Sequence, residues 1–204
     1  MINRVVITGY GMLTPLGLNS SDNWNSLVKS SSGIRRIDQC GEKFDEISSK
    51  IGGKVWGFDP AKHFSKKELR RYDPFIQYAI GASREALKYA GLRNSDETID
   101  LTRAGVAIGS GIGGLKTIQS ETEKMHMRGA SKISPFFIPA SLISMASGFV
   151  SLETGFRGPN LSVVSACASG AHNIIFAAQQ IALGTADIMI CGGSEQASIS
   201  LGSG

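Results

Sequence analysis

The sequence predicts an α/β fold in which helices cover a mostly parallel sheet, and three observations support that class. Short apolar runs rich in β-branched residues recur along the chain, as at Arg4–Thr8, Ala104–Ile108 and Asp187–Cys191. Longer segments with helical periodicity separate these runs. Glycine, with 25 of the 204 residues, marks many points where one pattern gives way to the other. Apolar strands that alternate with helices are typical of a covered parallel sheet.

Length and composition limit the kind of protein. A chain of 204 residues with 42% hydrophobic content can bury a full core as one large domain or two small ones. The net charge of +4 suits an acidic partner, but the basic residues form no stripe dense enough for nucleic acid. Met1–Gly17 lacks a signal-peptide pattern, and no apolar run reaches membrane length. We therefore expect a cytoplasmic protein without membrane or nucleic-acid contacts.

The three cysteines, Cys40, Cys167 and Cys191, are odd in number and widely spaced. This arrangement provides neither a zinc-ligand spacing nor a disulfide framework, and it fits a reducing compartment. We expect no bound metal, and each cysteine has to be judged by its position in the fold.

The first predicted elements are a strand and a short helix. Arg4–Thr8 has the composition of a strand. An apolar stripe that ends at Val28 predicts a short amphipathic helix capped near Ser20 or Ser21. Gly33–Phe58 has no clear period and predicts an irregular loop with a minor hairpin at most.

Asp59–Tyr72 carries a cluster of basic residues. On a helix Lys66 and Arg70 are i,i+4 neighbours, as are Lys67 and Arg71, so both pairs can face solvent together. A solvated helix face is the plain interpretation of such a cluster, and a docking surface for an acidic protein is the functional one. The residues alone leave both interpretations open.

Asp73 and Pro74 predict a firm helix start, because aspartate is a preferred N-cap and proline fits the first helical position. The apolar stripe that follows ends before Gly91. A polar loop over 93–103 then leads into the strand Ala104–Ile108.

Gly109–Gly114, with the sequence GSGIGG, follows that strand and precedes a helical segment. In this context G-x-G-x-x-G is the dinucleotide-binding fingerprint, although alone it is a weak signal. The fingerprint also needs an acidic residue about 20 positions later, at the end of a second strand. That distance falls in 121–130, which has the pattern of a helix and a loop. A dinucleotide site resting on Gly109, Gly111 and Gly114 therefore stays a minor alternative.

Two segments precede the most informative stretch of the chain. Ser134–Pro139 (SPFFIP) has a proline near each end, so it is not expected to form a regular helix. Ala140–Leu152 consists mostly of small and apolar residues and predicts a closely packed helix.

Cys167 lies at a predicted junction between a strand and a helix. Leu161–Ala166 has the pattern of a short buried strand, and apolar residues recur at helical spacing from Ile174 until Gly184. The first N–H groups of a helix lack intrahelical partners, so they stabilise a thiolate and can receive the oxyanion of a tetrahedral intermediate. This is the geometry of a nucleophile elbow with sulfur in place of oxygen. The other interpretation is a small, buried and inert cysteine.

Three histidines are candidates to assist a cysteine nucleophile. His172 follows Cys167 by five positions, or about 140° around a helix, so the two side chains are expected to point apart. We therefore expect His172 to pack or to make a structural hydrogen bond, and His63 and His126 to lie at the surface. Glu195 is likewise expected to be a structural hydrogen-bonding residue.

Five motifs resemble those of the β-ketoacyl-acyl-carrier-protein synthases and occur in the family's order: VVITGYGMLTPLG, GSGIGG, SPFFIP, SACASGAHNI and CGGSE. The type II enzymes of bacterial fatty-acid elongation are the nearest match within that family. The resemblance covers nearly the whole chain, but only the N-terminal half of the family's proteins. It implies one thiolase-like domain over 1–204, part of a layered α-β-α-β-α architecture with a mostly parallel mixed sheet.

The resemblance also implies roles for single residues. Cys167 would accept an acyl group as a thioester, and Gly111, Ile112 and Phe137 would lie at the acyl pocket, with Phe137 near the dimer interface. The basic cluster would dock acyl carrier protein, whose phosphopantetheine arm carries the substrate; its members would be Lys66, Lys67, Arg70 and Arg71. The family implies a homodimer that needs no bound cofactor.

The implied reaction is decarboxylative Claisen condensation of the acyl-cysteine with malonyl-carrier protein, which gives 3-oxoacyl-carrier protein. In the family, two histidines and a lysine of the C-terminal half complete the site, and this sequence lacks that half. We therefore expect the isolated chain to be poorly stable or inactive in condensation, because apolar faces would stay uncovered. The alternative is a non-catalytic half-protein that keeps the carrier-docking and dimerisation surfaces.

Overall fold

The computed structural model describes residues 3–37, 48–92 and 99–197. The helices are α1 (Ser20–Val28), α2 (Lys66–Leu69), α3 (Pro74–Tyr89), α4 (Leu115–Arg128), α5 (Phe137–Ser141), α6 (Met145–Thr154) and α7 (Ser169–Ala182). The strands are β1 (Ile34–Arg36), β2 (Ile51–Gly53), β3 (Ala104–Gly109), β4 (Asn160–Leu161) and β5 (Ile188–Gly193). Helices and strands alternate from β3 onwards, and the predicted α/β class is confirmed.

The central feature is a parallel sheet of three strands in the order β4–β3–β5. Val106 in the middle of β3 pairs with Asn160 on one side and with Ile190 on the other. Every residue of β3 is buried, as expected for a strand with a neighbour at each edge and helices on both faces. The prediction of a covered parallel sheet is confirmed by this pairing.

Helices lie on both faces of this sheet. On one face α3 and α6 form a buried core with β3, which includes Phe75, Ile80, Val106, Ile108 and Phe149. On the opposite face α7 packs against β3 and β5. Gly109 at the end of β3 lies against Ser169, and Gly193 at the end of β5 lies against Gly170. The N-terminus of α7 therefore sits at the carboxyl ends of two parallel strands, where α/β proteins place their ligands.

The predicted helix starts are confirmed for α3 and differ by one residue for α1. Asp73 is the N-cap of α3, its carboxylate accepts the N–H of Phe75 at 3.2 Å, and Pro74 is the first helical residue. The cap of α1 is Asn19, whose side chain accepts the N–H of Asp22 at 2.8 Å, and not the predicted serine. Asparagine and serine reach the same N–H groups, so the sequence pattern does not separate them.

The predicted strand Arg4–Thr8 is wrong for the described residues, where the segment pairs with no strand. Its apolar side chains stay outside the core, with Val6 60% and Ile7 86% exposed. The chain that follows runs along α3 instead, because Gly9 and Gly11 approach the carbonyl oxygens of that helix. A β-branched run provides the side chains for a strand, but a ladder also needs a free edge beside it.

Two irregular segments agree with the sequence prediction only in part. β1 and β2 pair antiparallel, which confirms the minor hairpin, while 38–47, including Cys40, lie outside the described residues. The polar loop predicted over 93–103 is described from Ile99 onwards, and its last residues, Leu101–Arg103, form a turn of 3₁₀ helix.

The segment SPFFIP is partly helical, contrary to prediction. Phe137 begins the short helix α5 and Pro139 is its third residue. The first N–H groups of a helix have no intrahelical acceptor, so a proline there loses no hydrogen bond. α6 begins at Met145, five residues later than the predicted start at Ala140.

No helix of the described ranges combines the length and the apolar character needed to cross a membrane. Within the same ranges, no group of three or more histidine, cysteine, aspartate or glutamate side chains is placed to hold a metal ion.

Candidate active site

Cys167 is exposed at a sharp turn that leads into α7. The preceding residue, Ala166, has a φ of 51°, a left-handed conformation that is rare for residues other than glycine. The N–H groups of Ala168 and Ser169 close the turn onto the carbonyl oxygens of Ser165 and Ala166, at 3.1 and 3.0 Å. The sulfur thus projects from a strained turn at a helix N-terminus, which is the arrangement of a nucleophile elbow.

The side chain of Ser169 holds this turn from inside. Its Oγ donates to the carbonyl of Ala166 at 2.7 Å and accepts the N–H of Ser165 at 2.9 Å. Ser169 is 2% exposed, so these hydrogen bonds are shielded from water. A left-handed alanine persists only where surrounding contacts enforce it, and Ser169 provides two of them, one to Ala166 itself and one to the residue before it.

The side chain of Asn173, one turn further along α7, forms the hydrogen bonds that a neighbouring strand would otherwise make with Val163. The predicted strand Leu161–Ala166 pairs with β3 only at its start, since β4 ends at Leu161. Beyond that point, Asn173 Oδ1 accepts the N–H of Val163 at 3.0 Å and its Nδ2 donates to the carbonyl of Val163 at 2.8 Å. Nδ2 also donates to the carbonyl of Ser169 at 2.7 Å. A fully buried amide therefore satisfies backbone groups that would otherwise need a neighbouring strand.

The roles of Ser169 and Asn173 were not predicted from the sequence, although the sequence contains a signal for them. Ser169, Asn173 and Ala177 recur at i, i+4 and i+8 and are the buried residues of α7. The buried face of this helix is thus polar near its N-terminus, whereas its apolar residues Ile174 and Ile175 are about half exposed, at 48% and 53%. Polar residues at the spacing of a buried helix face indicate that their side chains form hydrogen bonds inside the fold, here with the backbone of a neighbouring segment.

The strain at Ala166 gives a first prediction. We expect Ala166→Gly to leave the free energy of unfolding unchanged or to raise it by up to about 1 kcal/mol, because glycine adopts positive φ without penalty. Ala166→Val should lower it by about 1–3 kcal/mol, because a β-branched side chain disfavours that conformation most. The control is Ala168→Val, at an exposed neighbour with a φ of −84°. Denaturant unfolding of the three variants tests this, and equal stability of Ala166→Val and Ala168→Val would contradict it.

The glycine loop, 109–114, lies directly against the elbow. A Cβ on Gly111 would come within 3.3 Å of the backbone carbonyl of Ala166, so only glycine allows this approach without displacement. Glu195 holds the loop: its carboxylate accepts the N–H of Gly111 at 2.6 Å, the N–H of Ile112 at 3.2 Å and the hydroxyl of Ser110 at 3.0 Å. Glu195 is therefore the structural hydrogen-bonding residue that the sequence predicted.

These contacts argue against the dinucleotide alternative. In that fold the N–H groups of the glycine loop and the helix N-terminus receive the pyrophosphate. Here the N–H groups of Gly111 and Ile112 already bind a carboxylate, and the N–H of Gly113 binds Ser110 Oγ at 2.9 Å. A negative group at this point would repel a phosphate, so the loop serves the elbow and offers no phosphate cradle.

The histidines lie as the sequence predicted. His172 Nδ1 and Ser165 Oγ share a hydrogen bond of 2.5 Å, which ties the first turn of α7 to the elbow. His63 and His126 are exposed. His63 stacks on Phe58 with ring centroids 5.2 Å apart.

The three acyl-pocket candidates differ in how directly they contact the elbow. Gly111 touches Ala166, and Ile112 follows it with 46% of its surface exposed. Phe137 is half-buried in the first turn of α5, a helix that contacts the end of the glycine loop through Ala140. The loop thus borders the elbow at Gly111 and α5 at Gly114, and a shared acyl pocket stays a prediction.

The four residues of the basic cluster do not all lie on one solvated helix face. α2 ends at Leu69, so Lys66 and Lys67 lie on the helix and the two arginines do not. Lys66, Lys67 and Arg70 are exposed. Arg71 is half-buried, with its guanidinium 5.3 Å from the ring centroid of Phe136. A guanidinium stacks well on an aromatic ring, which draws Arg71 inward.

Fold and site together define an α/β protein that presents an exposed cysteine on a nucleophile elbow at the carboxyl end of a parallel sheet. The sequence model described as "Beta-ketoacyl synthase, N-terminal domain" matches residues 2–203. The chain belongs to the beta-ketoacyl synthase family.

Individual relatives agree with this assignment. The chain is 45% identical over 201 residues to 3-oxoacyl-[acyl-carrier-protein] synthase 2 of Vibrio cholerae, covering 98% of this chain and 47% of that protein. It is 45% identical over 203 residues to the protein of the same name from Coxiella burnetii, covering 98% and 48%. The chain thus spans about half the length of the curated relatives it matches.

Solved structures of ketosynthases share the fold. A beta-ketoacyl synthase from Burkholderia phymatum superposes with a TM-score of 0.83 at 30% identity, over 97% of this chain and 48% of that one. A type II polyketide ketosynthase, solved in complex with its acyl-carrier protein, gives a TM-score of 0.84 at 27% identity, over 100% and 54%. These likenesses confirm the predicted thiolase-like, ketosynthase-type architecture.

Proposed function

We propose that this chain is the nucleophile-bearing half of a condensing enzyme of type II fatty-acid synthesis. The observation that carries the proposal is the exposed sulfur of Cys167 on the elbow that Ser169 and Asn173 hold in place. In the first step the thiolate of Cys167 attacks the thioester carbonyl of an acyl chain carried on phosphopantetheine. The tetrahedral intermediate collapses to an acyl-cysteine thioester, and the phosphopantetheine sulfur leaves and takes a proton.

The second step would be decarboxylative condensation. Malonyl-carrier protein loses carbon dioxide, and the resulting carbanion attacks the acyl-cysteine carbonyl. The new carbon–carbon bond gives 3-oxoacyl-carrier protein, and Cys167 is released as a thiolate. By resemblance, the histidines and lysine that assist this step belong to the part of the family's proteins that this chain does not span. The chain itself would therefore supply the acylation step, in the cytoplasm and as part of a homodimer.

Acyl carrier protein is the proposed partner, and the exposed cations of the basic cluster are its proposed docking site. Lys66, Lys67 and Arg70 project from the chain just before Asp73, the N-cap of α3. A ketosynthase of the same fold has been solved with its acyl-carrier protein bound, which supports a carrier protein as the partner. Arg71 stacks on Phe136, so we assign it to packing against the SPFFIP segment and not to direct docking.

Charge reversal in this cluster tests the docking site. We expect Lys67→Glu combined with Arg70→Glu to slow acylation of Cys167 by acyl-carrier protein about tenfold or more, because interface cations govern association with an acidic partner. The same variant should react normally with a small acyl thioester that lacks the protein. The matched control reverses two exposed lysines elsewhere, Lys29→Glu with Lys88→Glu, and changes the net charge equally. Equal slowing with both acyl donors, or equal slowing in the control, would rule out a docking role.

A further inference from the structure

Asp73 is a buried carboxylate that caps two helices at once. One oxygen accepts the N–H of Phe75 at 3.2 Å, within its own helix α3. The other accepts the N–H and the hydroxyl of Thr117, in the first turn of α4, at 2.9 and 2.7 Å. Asp73 is 2% exposed. Burial raises the pKa of this carboxyl, and the hydrogen bonds from Thr117 and Phe75 act against that rise.

The helix α4 depends on this remote cap because its own N-cap cannot provide one. That position is Gly114, which makes no side-chain capping hydrogen bond. A Cβ on Gly114 would lie 2.2 Å from the carbonyl oxygen of Ala140, so no residue with a capping side chain fits. Asp73, 44 positions before Thr117, supplies the acceptor instead.

The segment that this cap secures is the glycine loop beside the nucleophile. The loop ends where α4 begins, and Gly111 within it touches the backbone of Ala166. At its start the loop is held by Glu195, and the adjacent Ser194 donates its hydroxyl to the carbonyl of Phe75 at 2.6 Å. Both anchors of the loop therefore lead to the first turn of α3.

We propose that Asp73 is a positioning residue for the nucleophile, which holds the glycine loop against the elbow by capping α4 in place of Gly114. The role rests on the proposed function only in its last step, the acyl transfer. Asparagine cannot replace the carboxylate, because its single amide oxygen serves one of the two helices while its NH₂ group faces an N–H of the other. Loss of this cap should release the start of α4 and the loop that precedes it.

The chain contains a matched control for the cap. Asp100 accepts the N–H and the hydroxyl of Thr102 at 2.9 and 2.6 Å, the same pair of groups that Asp73 accepts from Thr117. Asp100 is exposed and caps a single 3₁₀ turn, Leu101–Arg103, outside the described contacts of the elbow. Asp100→Asn therefore makes the same change from carboxylate to amide at a cap of one segment, without touching the glycine loop.

The test compares Asp73→Asn, Thr117→Val and Asp100→Asn in the full chain. We expect amide hydrogen exchange over 112–117 to become at least about tenfold faster in Asp73→Asn, from the loss of charge-assisted hydrogen bonds. Thr117→Val, which removes one hydroxyl and keeps the N–H, should give a smaller change of the same sign and covers the case in which Asp73→Asn does not fold. Asp100→Asn should stay within about twofold of the parent chain.

Two further readouts separate positioning from mere stability. The rate at which Cys167 acquires an acyl group, normalised to the folded fraction, should fall about tenfold in Asp73→Asn and stay unchanged in Asp100→Asn. A lower melting temperature with unchanged exchange over 112–117 and an unchanged normalised rate would overturn the proposal. If the parent chain accepts no acyl group at all, the proposed function fails, while the exchange measurement still decides the role of Asp73.

Discussion

Replacing Cys167 with alanine should abolish acyl transfer to the chain, which is the largest effect we expect. Intact-mass analysis after mixing with a medium-chain acyl-carrier protein should show one acyl adduct on the parent chain and none on Cys167→Ala. The reason is chemical, since alanine provides no nucleophile and the acyl-enzyme cannot form. The proposed enzyme class depends on this adduct more directly than on any other observation.

The control for this result is Cys191→Ala, which removes another exposed thiol within the described residues. It lies in β5 and not in the elbow turn, and we expect it to keep the adduct in full. An adduct that survives Cys167→Ala would place the reactive group elsewhere and contradict the proposal. A folded parent chain that takes no acyl group would favour the alternative of a non-catalytic half-protein. Circular dichroism of each sample establishes that the chain is folded.

Asn173→Ala should produce the second largest effect, a loss of about 3–5 kcal/mol in the free energy of unfolding. The substitution leaves the N–H and carbonyl of Val163 and the carbonyl of Ser169 without the partners that Asn173 provides. The Asn173 side chain that pairs these groups is fully buried, and a buried backbone group left unpaired costs about 1–3 kcal/mol. Asn173→Asp should destabilise the chain at least as much as Asn173→Ala, because a carboxylate oxygen in place of Nδ2 would face the carbonyl oxygens of Val163 and Ser169.

Gln179→Ala on the exposed side of the same helix is the matched control, and we expect it to change stability by less than about 0.5 kcal/mol. Urea unfolding of the parent chain, Asn173→Ala and Gln179→Ala gives the free energy of unfolding of each. At low denaturant, the folded fraction of Asn173→Ala should also accept an acyl group more slowly, because Val163–Ala166 leads directly into the elbow. A loss of stability no larger than that of the control would show that water replaces the amide.

The sequence predicted much of the fold where a few neighbouring residues decide the outcome. The cap of α3 by Asp73 and Pro74, the strand Ala104–Gly109, and the change from extended to helical structure around Cys167 all follow from local patterns. The end of α7 before Gly184 is of the same kind. Each depends on backbone preferences and on N–H groups within one turn of the residue concerned.

The errors arose where a segment needs a distant partner. Arg4–Thr8 has the side chains of a strand but lies beside no strand within the described ranges. The cluster Lys66–Arg71 has helical charge spacing, yet Arg71 turns inward because Phe136 offers it an aromatic face. Only the folded chain shows which such partner is within reach.

The sequence by itself therefore predicted the class of the protein, the cysteine that we propose as nucleophile and the junction of strand and helix at which it lies. Tertiary structure alone decided how that elbow is supported. Glu195 reaches Gly111 across 84 positions, and Asp73 reaches Thr117 across 44. The buried face of α7 brings Ser169 and Asn173 against Val163–Ala166 in place of a strand. These hydrogen bonds depend on how the sheet and helices pack, and packing brings together residues that no local pattern connects.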